Sequence, residues 1–200
     1  MHQMNLSNPD VRRELLSRLV KGMRIDEVKA CAMRCISEPE GIPVILEMLE
    51  HPEEYRPMQL QKGAWVLYHA FQLDPRCLML HRKALGRALD ATENESVLRE
   101  LLKILATPLW LDIESTAERA ELRELGLELL FVEDAALALH YAALQIIQTR
   151  SILPEERKQA QKSIRAVRMM LPDQSSPLAR CMTRHEKKLD QKLARTKSPN

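Results

Sequence analysis

Prolines and glycines divide this chain into ten short segments, and each segment has the apolar spacing of one α-helix. Within a segment, apolar residues recur three and four positions apart, which places them on one helical face. The first segment begins with Asn8 as a predicted N-cap and Pro9 in the first turn, and it ends at Gly22. The other nine predicted segments cover 24–36, 42–50, 58–73, 77–89, 93–105, 116–131, 135–148, 154–171 and 177–195.

The composition favours helices throughout. Leu (32) and Ala (19) make up a quarter of the 200 residues, whereas Val, Ile and Thr together reach only 24. Leu and Ala are strong helix formers, and the β-branched residues that favour strands are scarce. Apolar runs that could form a strand lie inside segments with helical spacing. We therefore expect an all-α fold.

The helices recur at a roughly constant interval. Even-numbered segments start near residues 24, 58, 94, 134 and 177, which gives intervals of 34, 36, 40 and 43 residues. This interval is typical of an α-solenoid, in which each helix pair buries its apolar stripe against neighbouring pairs. We predict a right-handed α-α superhelix of about five antiparallel pairs. A single ten-helix bundle is the alternative.

We expect one domain over residues 1–200. Residues 1–36 form the predicted N-terminal capping pair, 42–148 the central repeats, and 155–195 a basic C-terminal pair.

One segment carries a family resemblance. Residues 63–71 read Gly-Ala-Trp-Val-Leu-Tyr-His-Ala-Phe and are followed by Asp74 and Pro75. This pattern resembles the signature helix of small bacterial HEAT-like proteins, and the likeness extends over about residues 40–170. The resemblance implies an ARM/HEAT-type fold and a binding role. It implies no catalytic residues.

No motif predicts catalysis or a cofactor. The five glycines are isolated, so no loop resembles a P-loop or a dinucleotide-binding turn. Three pairs have the i, i+4 spacing of two zinc ligands: Cys31 with Cys35, Cys77 with His81, and Cys181 with His185. These pairs lie on predicted helices that are not neighbours in a solenoid, so they cannot combine into a four-ligand site. We expect a non-enzymatic protein without a metal or cofactor.

Several polar and aromatic residues fall away from the apolar face of their helix. They are Trp65 and His69 on the fourth segment, Arg99 and Lys103 on the sixth, and Tyr141 and Gln145 on the eighth. If the even-numbered helices line the concave face, these residues lie side by side. Aromatic and Arg side chains dominate binding surfaces. We therefore predict that they bind a protein or peptide partner, unless Trp65 is a buried packing residue.

The basic C-terminal end suggests a second possibility. Residues 155–200 contain 12 Lys and Arg against 5 Asp and Glu, whereas residues 1–154 contain 18 against 23. Nucleic acid could bind Arg180, Arg184, Lys187 and Lys188. HEAT-like DNA-repair glycosylases combine concave Trp residues with a catalytic Asp, but here Trp65 is followed one turn later by His69. The alternative is that these basic residues only form the solvated face of a terminal capping repeat and bind no nucleic acid.

The sequence predicts a cytoplasmic location. The longest uncharged stretch, 135–149, is shorter than the roughly 20 residues that a membrane span needs. Charged residues near position 12 interrupt any export signal, and four Cys without a pairing pattern suit a reducing compartment. Nothing in the sequence indicates the oligomeric state.

Overall fold

The computed structural model describes residues 9–20 and 22–197, which form ten α-helices and no strand. The helices are α1 (Pro9–Val20), α2 (Ile25–Ser37), α3 (Gly41–Glu50), α4 (Pro57–Leu73), α5 (Arg82–Ala91), α6 (Glu95–Leu105), α7 (Thr116–Leu130), α8 (Leu137–Arg150), α9 (Pro154–Met170) and α10 (Pro177–Lys197). Three 3-10 helices lie between them, at Pro52–Glu54, Pro75–His81 and Pro108–Trp110. The all-α prediction is confirmed for these residues.

The prediction of the fifth helix is wrong at its start. Residues 77–81 belong to a 3-10 helix, and α5 begins only at Arg82. Pro75 starts the tighter turn, and the Asp74 carboxylate accepts a hydrogen bond from the Arg76 amide at 3.0 Å. Leu78 and Leu85 would face the core whether residues 77–81 form an α-helix or a 3-10 helix. Their spacing therefore cannot distinguish the two kinds of helix.

Other helix ends also differ from the prediction. The sixth segment was predicted to begin at residue 93, but the N-cap of α6 is Asn94, whose side-chain oxygen accepts from the Ser96 and Val97 amides. The predicted end of the tenth segment at residue 195 is too early because α10 continues to Lys197. The predicted cap at Asn8 lies outside the described residues.

The described residues cluster into two compact units, one up to Ile104 and one from Leu105 onwards. In both units, contacts join helices that follow each other and helices two places apart. Such contacts join α2–α3, α3–α4, α1–α3, α2–α4 and α3–α5 in the first unit, and α7–α8, α8–α9, α9–α10, α7–α9 and α8–α10 in the second. The prediction of one repeat domain stays a prediction.

The core of the first unit surrounds α4. This helix contacts α1, α2, α3 and the 3-10 helix Pro75–His81. Its buried residues include Leu60, Gly63, Ala64, Val66, Leu67, Ala70 and Phe71. A Cβ atom at Gly63 would overlap the terminal methyl of Met48, so glycine allows α3 and α4 to approach closely.

The core of the second unit surrounds α8, which buries side chains on most of its circumference, as its nearly continuous apolar sequence predicts. Gly126 of α7 faces α8, and a Cβ atom there would lie 3.2 Å from the Ala143 carbonyl oxygen. The shared core consists mainly of Leu127, Leu130, Ala143, Leu144, Ile147, Ala160, Ile164, Val167, Met182 and Leu189.

A buried ion pair fixes the connection between α6 and α7. The Arg150 side chain at the end of α8 is fully buried, and its Nη2 donates to Glu114 Oε1 at 2.7 Å. The same nitrogen donates to the backbone carbonyl of Leu105. Arg150 therefore joins the end of α6 to the connection, which also holds the fully buried Trp110.

Replacing Arg150 with Ala should lower the free energy of unfolding by about 3–5 kcal/mol, because it leaves the Glu114 carboxylate buried beside a cavity. Urea denaturation measures the change. The matched control is Lys158→Ala, which breaks the exposed Lys158–Glu155 pair and should cost at most ~1 kcal/mol. Equal costs for the two variants would show that the buried pair contributes no more than a surface pair.

Candidate binding site around Trp65

The exposed side of α4 is narrow and carries Trp65, His69 and Gln72. These positions are four and three residues apart, so they share one helical face. Trp65 and His69 are partly buried, and Gln72 is exposed. Trp65 is therefore not enclosed in the core, in contrast to Trp110, which is fully buried.

Helix α6 contributes cations that surround a buried carboxylate. The Glu100 side chain is only 4% exposed. Its Oε1 accepts from Arg99 Nε at 2.9 Å, and its Oε2 accepts from Lys103 Nζ at 2.6 Å. Both cations are thereby held at the surface in fixed positions.

Glu100 was not among the site residues predicted from the sequence. A signal was available, because position 100 falls between Val97 and Ile104 on the inward arc of α6. A carboxylate on such an arc requires cationic partners, and the neighbouring Arg99 and Lys103 supply them.

Aromatic contacts join the two helices. Lys103 Nζ lies 3.9 Å from the centre of the Tyr68 ring, a distance typical of a cation–π interaction. The His69 ring lies 5.7 Å from the Tyr68 ring and 5.8 Å from the Trp65 ring. We call Trp65, Tyr68, His69, Arg99 and Lys103 the Trp65 surface.

An open cavity of about 510 Å³ adjoins this surface. Trp65 and Arg99 line it together with the apolar side chains of Val20, Met23 and Met58. Exposed methionines adapt to differently shaped ligands because their side chains are unbranched and polarisable.

Lys62 and Glu100 form the polar part of the same cavity. The buried Lys62 ammonium donates to the Leu19 carbonyl of α1 at 3.2 Å. The cavity can therefore take an apolar group against Met58 and Trp65, with a hydrogen-bond acceptor directed to Arg99.

Burial sets the protonation of the two smaller rings. It lowers the pKa of His69, and the positive charge of Lys29 lowers it further, so His69 is neutral at pH 7. Burial and the charge of Glu100 raise the pKa of Tyr68. The positive charge of the site therefore comes from Lys62, Arg99 and Lys103, against the single carboxylate of Glu100.

The remaining predicted residues lie in the second unit. Gln145 is exposed, whereas Tyr141 is partly buried against the core of that unit. The structure brings Tyr141 together with Arg180 and Arg184 at an open cleft of about 450 Å³, which Pro177 and Thr183 also line. No sequence pattern indicated this neighbourhood, because 39 and 43 residues separate Tyr141 from the two arginines.

The basic face of α10 is open to solvent. Arg180, Arg184, Lys187 and Lys188 are all exposed. Among the residues that the structure describes, neither Arg180 nor Arg184 forms a side-chain hydrogen bond or an ion pair. Both guanidinium groups are therefore available to an external anion.

The predicted cysteine pairs do not assemble into a larger group. Cys31 and Cys35 are buried and hydrogen-bonded to each other, which lowers the pKa of Cys31 and raises that of Cys35. Cys77 and His81 lie in a 3-10 helix, where residues four apart do not share a face. Within residues 9–20 and 22–197, no three His, Cys, Asp or Glu side chains are grouped as metal ligands would be.

No helix of the described ranges is both long and apolar enough to cross a membrane. Compared with models of protein families, with curated proteins and with solved structures, the chain gives no match.

The buried His185 of α10 should make stability depend on pH. Burial, together with Arg184, Lys188 and Lys192, lowers its pKa to about 4 in the folded protein. An unfolded His titrates near 6.5, so the unfolded chain binds the proton more strongly between these values. Stability should therefore fall as the pH drops from about 6.5 to about 4, by on the order of 2–3 kcal/mol.

Urea denaturation over this pH range tests the expectation with two variants. His185→Gln should remove this part of the pH dependence, whereas His51→Gln, at an exposed position, should keep it. Identical pH profiles for the wild type and His185→Gln would contradict the assignment.

Proposed function

We propose that the protein is a non-enzymatic, HEAT-like helical-repeat scaffold that binds a protein or peptide segment through the Trp65 surface. The proposed architecture is a right-handed superhelix of about five antiparallel helix pairs, acting in the cytoplasm without a cofactor. Most contacts between helices join helices one or two places apart, as stacked helix pairs do, and this supports the architecture; α1–α4 is an exception.

The observation that carries the proposal is the exposure of Trp65 over an apolar cavity. The rest of α4 is largely enclosed, yet Trp65 borders open space beside Met58, which is 58% exposed. Leaving large apolar side chains wet costs roughly 25 cal/mol per Å², so covering them favours binding. A partner's apolar side chain would fill the cavity.

The polar groups would orient the partner. Arg99 and Lys103 are positioned by Glu100, so they lose little side-chain freedom when a partner's carbonyl or carboxylate approaches. His69 contacts the rings of Trp65 and Tyr68. In this proposal His69 packs against the two rings and transfers no proton. Trp and Arg are the side chains that most often dominate binding energy.

Replacing Trp65 with Ala should abolish partner capture at a cost of only ~1 kcal/mol in stability, because the side chain is partly exposed. Trp110→Ala is the matched comparison, and it should cost about 3–5 kcal/mol because that side chain is fully buried. Thermal melts measure both changes.

Affinity capture from nuclease-treated lysate measures binding. A protein retained by the wild type and by Leu80→Ala, an exposed apolar position in the 3-10 helix, should be absent with Trp65→Ala. A collapse in the melting temperature of Trp65→Ala, or unchanged capture, would remove the basis of the proposal.

Nucleic-acid binding is the second candidate, and the cleft beside Tyr141 favours it. An aromatic ring beside two unpaired guanidinium groups suits stacking of a base together with contacts to phosphate. The excess of seven positive charges in residues 155–200 would attract the phosphate backbone.

For this candidate, replacing Arg180, Arg184, Lys187 and Lys188 together with Gln should weaken binding equally across sequences. It should also reduce the salt dependence, because fewer counterions are released. Gel-shift titrations at several salt concentrations measure both effects. The matched control replaces Arg24, Arg56, Arg76 and Lys83, four exposed residues of the first unit, and removes the same charge. Equal weakening by both variants would assign the effect to net charge and exclude a site on α10.

A further inference from the structure

A further cavity lies wholly within the second unit and shares no lining residue with the cavity beside Trp65 or the cleft beside Tyr141. It has a volume of about 300 Å³ and is bordered by the connection between α7 and α8, the end of α9 and the start of α10. Its inner wall is apolar and consists of Leu130, Val167, Leu171 and Leu178. We call it the His140 cavity, after the residue discussed next.

His140 is the buried polar side chain in its lining. The residue is only 5% exposed, and its Nε2 lies 3.1 Å from the Val132 carbonyl oxygen. A carbonyl can only accept, so Nε2 carries a proton, and when the ring carries only that proton Nδ1 is an acceptor. Among the described residues, Nδ1 has no hydrogen-bond partner. A buried acceptor without a partner is costly, and a ligand that donates to it would remove that cost.

The mouth of the cavity is apolar and exposed. Phe131 is 52% exposed, Val132 46% and Met170 67%, and all three line the cavity. Because the Val132 carbonyl also accepts from the Ala135 amide at 3.3 Å, the backbone of this connection is held in place beside His140. The Nδ1 atom is itself covered, so binding requires a small movement of the side chains around the His140 ring.

We propose that the His140 cavity binds a small, neutral, apolar molecule that carries one hydroxyl donor. The volume is at the lower end for ligand sites and holds at most about fifteen non-hydrogen atoms at ordinary packing density. Phe131 and Met170 favour an aromatic body, through ring and sulfur contacts. Glu133 also lines the cavity and disfavours an anionic ligand. Simple alkylphenols meet all these requirements.

Isothermal titration of the full chain with 4-ethylphenol tests the proposal. We expect a dissociation constant on the order of 0.1–1 mM, as suits so small a ligand. Its methyl ether, 4-ethylanisole, has nearly the same shape but no donor, and should bind about fivefold more weakly. The anionic 4-ethylbenzoate should bind more weakly still. Equal affinity for the phenol and the ether, or no binding of the phenol, would overturn the proposal.

Two further measurements locate the site. On binding of 4-ethylphenol, the ¹⁵N resonance of His140 Nδ1 should move in the direction of a hydrogen-bonded imidazole nitrogen. Leu171→Trp should fill the cavity and abolish binding, whereas Leu153→Trp, at an exposed position elsewhere, should not. Unchanged binding in a folded Leu171→Trp variant would place the ligand elsewhere and overturn the proposal. If the cavity instead holds a side chain of a partner protein, free 4-ethylphenol will not bind, and this result would also overturn the proposal.

Discussion

The enclosure of α4 determines what the first unit can present to a partner. Three helices and a 3-10 helix contact α4, and the Gly63 position lets α3 approach to van der Waals distance. Only a narrow strip along the middle of α4 stays at least partly open, and it carries Gln61, Trp65, Tyr68, His69 and Gln72. An aromatic side chain on a helix that is held from several sides keeps its orientation without a partner, which reduces the entropy lost on binding.

Buried carboxylates place several of the surface cations. Glu100 holds Arg99 and Lys103, and Glu186 holds Arg165 and Arg168 in the same way on α9 and α10. Glu114 differs, because its partner Arg150 is also fully buried. The net stabilisation by such pairs is modest, but breaking one of them leaves an uncompensated charge. The Glu186 and Glu114 pairs join different elements and thus help to specify their arrangement, whereas Glu100 and its two cations all lie on α6.

Local periodicity was sufficient to predict ten helices, and most helix ends lie within one to three residues of their predicted positions. It failed where a proline starts a 3-10 turn at residue 75 and where Asn94, inside the predicted segment 93–105, is the cap of α6. In both places the apolar spacing is the same with either helix start.

Long-range neighbours were beyond prediction. Nothing near Glu114 indicates a partner 36 residues away, and nothing near Tyr141 indicates the arginines of α10. The exposure of Trp65 followed from helical geometry alone. The burial of Glu100 could have been predicted from the same helical wheel, because it lies on the inward arc of α6.

The contacts between helices one and two places apart have a kinetic consequence. A helix needs only the next few dozen residues before its apolar face can be covered, so little loop-closure entropy is lost at any step. Chains dominated by such local contacts collapse quickly, and each segment can pack soon after it leaves the ribosome. The time for which most apolar stripes stay uncovered during synthesis is then set by the translation of the next two helices, whereas α1 also waits for α4.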